Sequence, residues 1–190
     1  MTRPYTLRRR AERQAETRQR IVEAAIALHG SVGPALTSIS MVAARAKVQR
    51  HTLYAHFPDE RSLYLACSGL SLERDPLPDP GPWRSAASRE ARLRAGLGAI
   101  YGWYERNADL AGCVLRDAEH HALTREVVGL RIAPWMQACR EVLAEALSEG
   151  QRAVLHLALG YFTWRALTRE AGLAQEEAVA AMVRAILGQP

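Results

Sequence analysis

The sequence predicts an all-α fold in two domains, an N-terminal three-helix domain carrying a helix-turn-helix and a helical bundle after it. Three observations predict this. Apolar residues recur at helical spacing along most of the chain, and no alternating run bounded by turns is found. Most segments are rich in Ala, Leu, Arg and Glu, which are good helix formers. The charge is uneven: residues 1–57 hold ten Arg and Lys against three acids, and the remainder holds fifteen bases and seventeen acids. A basic segment on a near-neutral body is the electrostatic footprint of a polyanion binder, although a basic tail that only aids solubility has the same sign.

Taken in order, the first helix is expected from about Glu12 to His29, with Ile21, Ala25 and Leu28 on one face. Gly30 and the Gly33-Pro34 pair stop it. Thr37 is a good N-cap for a short helix with Ile39, Val42, Ala43 and Ala46 as its apolar stripe. A turn at Lys47 leads to a second short helix from Gln49 to Phe57, ended by Pro58. Asp59 then caps a longer helix with Leu63, Cys67 and Leu70 along one side. Residues 75–82 carry a proline at every second position and read as an extended connector. Further helices are expected at about 84–106, 109–121, 124–148, 152–169 and 175–187. Pro134 either kinks the third of these or opens a new helix in its first turn. The domains are placed at 1–58 and 59–190, with 59–74 as a connecting helix.

Several function classes find no support. Cys67, Cys113 and Cys139 are odd in number, widely spaced and without a Cys-x-x-Cys pair, so reduced and mostly buried thiols are expected. The N-terminus is charged rather than apolar, and Glu12, Arg13 and Glu16 follow Arg8-Arg9-Arg10 where a twin-arginine signal needs an apolar stretch. The longest run free of charged residues, Ala153 to Trp164, is too short to span a bilayer. A soluble, cytoplasmic protein is expected. No Gly-rich phosphate loop, paired-carboxylate motif or Ser-His-Asp order cue suggests an enzyme, and no cofactor is implied. Asp117 and His121 share a helix face at i, i+4, but no third metal ligand is evident, and residues 116–121 read as a solvated, salt-bridged face.

The run from Thr37 to Phe57 carries the chemistry. Two short amphipathic helices joined by a tight turn, the second rich in polar side chains, make a helix-turn-helix. Ala43 is small where the helices approach, and Val48, Leu53 and Phe57 anchor the second helix. Gln49, Arg50, His51, Thr52, Tyr54 and His56 are left to point elsewhere. Arg can fork onto guanine and Gln can pair with adenine, while Tyr, His and Thr suit phosphates. The first turn at Ser38 offers backbone N–H groups to a phosphate.

The stretch from about Arg18 to Ala66 resembles the DNA-binding domain of TetR-type transcriptional regulators. The matching residues are Ile21-Val-Glu-Ala-Ala, Gly33, Thr37-Ser-Ile, Val42-Ala, Ala46-x-Val48, Thr52-Leu-Tyr-x-His-Phe57 and Leu63. Residues 164–186 resemble, more weakly, the dimerisation end of such regulators. The resemblance implies a repressor that binds a palindromic double-stranded operator as a homodimer and is released by a small-molecule effector. A helix-turn-helix protein controlled by a protein partner is the alternative. Carried over, Arg50, His51 and Tyr54 would face bases or thymine methyls, with Tyr54 alternatively a packing group. Thr52, His56 and Ser38 would hold phosphates, and Arg8 to Arg10 would form a flexible arm reaching the backbone or minor groove. Two positions depart from the pattern. Lys47 replaces the usual turn glycine and must take a left-handed conformation or a different turn, with its charge available to phosphate. Glu60 stands where a phosphate-binding lysine is common, so that contact is lost or moves to Arg61.

The resemblance also implies an effector pocket after residue 84. Candidates are Trp103, Tyr104, Cys113, His120, His121, Trp135, Met136 and Cys139, all equally compatible with plain core. The helix from Arg152 is apolar nearly all round, and the last helix carries an aliphatic stripe beside an alanine stripe. Together they suggest a four-helix dimer seam through Leu155, Leu159, Phe162, Val179, Met182, Val183 and Ile186. A monomer with the proline loop over one face is the alternative.

Overall fold

The computed structural model describes residues 3–188, with side chains from residue 8 onward. Those residues form eleven α-helices and no strand. They are α1 (Arg3–Ser31), α2 (Ile39–Arg45), α3 (Arg50–His56), α4 (Glu60–Arg74), α5 (Arg89–Arg106), α6 (Ala108–Ala118), α7 (Ala122–Arg131), α8 (Ala133–Leu143), α9 (Glu149–Ala158), α10 (Tyr161–Arg165) and α11 (Gln175–Leu187). None is long and apolar enough to cross a membrane. The chain divides into two compact units. One runs through Arg74 and takes in Cys113–Val128, and the other comprises Asp75–Gly112 and the chain from Gly129.

In the first unit, α1 packs against α2, α3 and α4. Its core is aliphatic: Ile21, Val22, Ala25 and Leu28 from α1 meet Ile39, Val42 and Ala43 from α2, Leu53 from α3, then Phe57, Leu63 and Cys67. Burial of Cys67 pushes its thiol up to about 12, so it is an inert packing group. The link between α1 and α2 is held by side chains distant in sequence. Asp117 is buried and accepts from the Ala35 N–H at 2.9 Å and from Arg116 Nε at 2.8 Å. Tyr64 donates its hydroxyl to the Pro34 carbonyl at 2.9 Å. Gly33 has φ +96, and a Cβ there would fall inside van der Waals contact with the Asp117 carboxylate. The expected solvated face at residues 116–121 is thus overturned at Asp117, because it supplies the acceptor that this linker's backbone needs.

In the second unit, α5 packs against α8, α10 and α11, and α11 against α9. The helix expected over 152–169 is broken at Gly160, with φ −72 and ψ 135. The break strands carbonyls at the end of α9, and two tyrosines one turn apart on α5 satisfy them. Tyr101 donates to Ala158 at 2.9 Å and Tyr104 to Leu159 at 2.8 Å. After α10 the backbone widens into a π-helical turn at Ala166–Glu170.

Other boundaries also differ from expectation. The α1 helix begins at Arg3, so Arg8 to Arg10 lie in a helix rather than a flexible arm. Ser38, not Thr37, caps α2: its Oγ accepts from Met41 N–H at 3.2 Å, whereas the Thr37 hydroxyl turns back to Gly33 O. The stretch 124–148 splits, and α8 opens with Pro134 in its first turn, where a missing N–H costs nothing. The proline loop is a pinned strap rather than a free connector. Trp103 Nε1 donates to Asp75 O at 3.1 Å, Trp135 Nε1 to Pro78 O at 2.7 Å, and Arg106 grips the Asp75 carboxylate through Nε and Nη2.

Candidate nucleic-acid interface

The site is built on α2, the turn after it, and α3. The Ser38 cap fixes where α2 starts, and its apolar stripe faces the core, leaving Ser40, Met41, Ala44 and Arg45 exposed. The helix ends in a left-handed residue: Lys47 has φ 54, and the Val48 N–H reaches back to Ala43 O at 3.0 Å. A lysine therefore does occupy the backbone conformation for which glycine is the low-cost choice. Gln49 is the N-cap of α3 in extended conformation, and its side chain makes no capping hydrogen bond.

Leu53 is fully buried and Phe57 nearly so, which fixes the rotation of α3 about its axis. That rotation turns Arg50, His51 and Tyr54 outward. Tyr54 is 43% exposed, more than a purely packing ring would be. Thr52 and His56 are half-buried, at the edges of the exposed face, and Thr52 Oγ1 lies 3.3 Å from His51 Nε2. No Asp or Glu occurs between Glu23 and Asp59, whereas Arg45, Lys47 and Arg50 all lie in that span. The face is therefore cationic and made mostly of donors, matched to phosphate oxygens and to the acceptor edge of guanine. Arg61 is placed differently: its Nε donates to Glu126 of α7 at 2.7 Å.

Arg45 and Met41 were not singled out from the sequence, although both lie opposite the Ile39–Val42–Ala43 stripe that defines the face of α2. Arg18 is also new, its guanidinium 4.9 Å from the centroid of the Phe57 ring.

The other residues singled out from the sequence are dispersed. Trp103, Trp135, Met136 and Cys139 lie in the second unit, where Trp103 and Trp135 have ring centroids 6.4 Å apart, Met136 is half-buried and Cys139 is fully buried. Cys113 and His120 belong to the first unit. Cys113 Sγ lies against Gly30 O at 3.6 Å, and His120 is exposed. Of the dimer-seam residues, Leu155, Leu159, Val179, Val183 and Ile186 are buried within the chain itself. Met182 is half-buried and Phe162 is 44% exposed. Leu157, passed over in the sequence, is 63% exposed.

An all-α chain whose N-terminal unit presents α2, a tight turn and a cationic α3 has the architecture of the helix-turn-helix transcriptional regulators. Within that class, residues 21–67 match the family of bacterial regulatory proteins, tetR family, and the fold is that of TetR-family transcriptional regulators. A TetR-like transcriptional regulator from Rhodococcus sp. RHA1 superposes with a TM-score of 0.63 at 19% identity, covering 91% of this chain and 97% of that one. A HlyIIR mutant protein superposes with a TM-score of 0.67 at 16% identity, covering 90% and 95%. The multidrug binding protein EbrR, complexed with ethidium, is 25% identical with a TM-score of 0.52, covering 88% and 97%. No curated protein sequence matches the chain.

Proposed function

We infer that this protein is a transcriptional repressor that binds a palindromic operator as a homodimer and is released by a small-molecule effector. The observation that carries the reading is the exposed, acid-free face of α3 lying inside the segment that matches the tetR family. Arg50, His51 and Tyr54 would read base edges in the major groove, with Gln49 at the start of the helix. Ser38, Thr52, His56 and Lys47 would hold phosphates on either side, and Arg61 would join them by exchanging Glu126 for a phosphate. Two such helices in a dimer would sit about 34–36 Å apart, one helical turn of B-DNA.

A second copy would dock over the apolar side chains that α9 and α10 leave exposed, Leu157 and Phe162, with Met182 of α11 and the flanking seam residues beneath. The effector is assigned to the second unit, with Trp103, Trp135, Met136 and Cys139 as the residues to test, and with Cys113 and His120 of the first unit as reporters. The ethidium complex of EbrR makes flat aromatic cations the first compounds to try.

The test is a genomic pull-down of DNA bound by the purified protein, followed by titration of the best fragment. A short palindrome bound tightly, with affinity reduced about 5- to 150-fold by Arg50→Ala, is the expected result, equivalent to about 1–3 kcal/mol for one bidentate base contact. No enriched sequence, or binding insensitive to Arg50→Ala, would sink the reading.

A further inference from the structure

The first half of α1 is a helix without a core. The helix has 29 residues, and its buried positions begin only at Ile21. From Arg8 to Arg20 every described residue is exposed except the half-buried Thr17. Those thirteen residues include six arginines (Arg8, Arg9, Arg10, Arg13, Arg18, Arg20) against Glu12 and Glu16, and their only apolar members are Ala11 and Ala15. An exposed helix of this composition has no stripe with which to bury itself on another helix or a second copy. Its arginines at i, i+3 and i, i+4 (Arg9, Arg10 and Arg13) repel one another unless a polyanion lies alongside. Arg8 is already partly neutralised by Glu12 at 2.9 Å.

The position at which the extension leaves the first unit is fixed. Arg18 stacks on Phe57, the C-cap residue of α3, so the basic turns depart beside the C-terminal end of the helix that presents Arg50 and Tyr54. Fifteen helical residues reach about 22 Å, whereas duplex DNA carries a phosphate charge about every 1.7 Å of its axis.

We propose that the N-terminal half of α1 is a second, rigid DNA-contacting surface, which lays Arg9, Arg10 and Arg13 along the phosphates flanking the segment read by α3. This rests on the reading of the chain as a DNA-binding regulator and adds to it a sequence-independent contact made by a preformed helix. Because only charge and spacing are used, the contact raises affinity for any duplex long enough to extend past the reading helix, and it adds salt dependence without adding specificity.

The experiment measures binding of the full-length protein to a random-sequence 40-bp duplex and to a 12-bp duplex over a series of salt concentrations. Wild type is compared with Arg9→Ala/Arg10→Ala/Arg13→Ala and with the corresponding triple lysine variant; alanine preserves helix propensity and lysine preserves charge. On the 40-bp duplex the alanine variant is expected to lower the slope of log K against log salt by about 2 to 3, near 0.9 for each phosphate released. The lysine variant should stay within about half a unit of wild type, and on the 12-bp duplex all three should agree. Equal slopes for wild type and the alanine variant on the long duplex overturn the proposal. So does a change in sedimentation mass in the alanine variant, which would make the extension a protein contact. Failure of the underlying reading looks different, because wild type would then enrich no sequence whatever the arginine series shows.

Discussion

The two units bury different chemistry. The first is aliphatic and small at its contacts, with Ala24, Ala25, Ala43 and Ala46 nearly inaccessible and Phe57 its one fully buried large ring. The second is aromatic: Tyr101, Tyr104, Tyr161 and Trp164 cluster around α5 and α10, with ring centroids of Tyr104 and Tyr161 5.4 Å apart and of Tyr161 and Trp164 5.2 Å apart. A helix-turn-helix needs close helix approach at a set angle, which alanine permits. A bundle containing a broken helix needs donors for the stranded carbonyls, and a tyrosine supplies bulk and a donor in one side chain. In the second unit the aromatic residues thus hold together a backbone that cannot complete its own ladder.

Large substitutions test this difference first. Phe57→Ala and Trp164→Ala should each cost about 3–5 kcal/mol in chemical denaturation, with hydrogen exchange accelerating first in the unit that carries the change. Tyr104→Phe keeps the ring and removes only the hydroxyl that satisfies Leu159 O. It should cost about 1–2 kcal/mol, the penalty of a buried unpaired carbonyl. If Tyr104→Phe is silent while Trp164→Ala is severe, the rings act by volume alone and the carbonyl-capping account is wrong.

A second contrast is one of charge. The first unit buries His29 with Nε2 lacking a hydrogen-bond partner, its ring 4.8 Å from that of Tyr64, and Asp117 and His121 near enough to perturb it. Burial lowers the His29 pKa to about 4, the Asp117 charge opposes this, and His121 assists it. Since the folded pKa lies below the unfolded value near 6.5, the unfolded chain binds more protons between those pH values. His29 therefore contributes full stability above pH 6.5, and stability falls by about 1.4 kcal/mol per pH unit as pH drops from there toward 4. Asp117 stays ionised through that window. Burial acts to raise its pKa, but the Ala35 N–H and Arg116 outweigh this and hold it below the usual carboxylate range, so its contribution is lost only at more acidic pH. His29→Leu should flatten the pH 4–6.5 slope measured by urea denaturation, and an unchanged slope would assign the acid sensitivity to another group.

How legible these features were follows from their range. The α2–turn–α3 segment could be read from local pattern because cap, stripe, turn and anchor all fall within twenty-one residues, and the family resemblance rests on the same stretch. The error at its start was one residue: Thr37 and Ser38 are both good caps, and only the pull of Gly33 O on the Thr37 hydroxyl separates them. The Gly160 break was invisible because a lone glycine in an apolar run is tolerated in a helix. What tips the balance is a pair of tyrosines some 55 residues away. The same holds for Asp117, whose partner Ala35 lies 82 positions earlier. The seam residues were chosen by apolar character alone, which does not distinguish side chains already spent on the chain's own core from Leu157 and Phe162, which are exposed.

The smallest expected effect bears on the turn itself. Lys47 sits at φ 54, where a non-glycine residue is strained by about 1–2 kcal/mol. Glycine removes that strain but loses more entropy on folding, by about 0.5–1 kcal/mol. Lys47→Gly should therefore raise stability modestly, by about 0.5–1 kcal/mol. The same substitution removes an exposed cation between α2 and α3, so it separates two roles that one residue can combine. If Lys47 serves DNA, the variant will be more stable yet will bind operator more weakly, with a salt slope reduced by about one phosphate. If the turn merely tolerates lysine, stability will rise and the slope will not move. Greater stability with weaker binding would explain why a strained cation occupies a position that glycine fills at lower conformational cost.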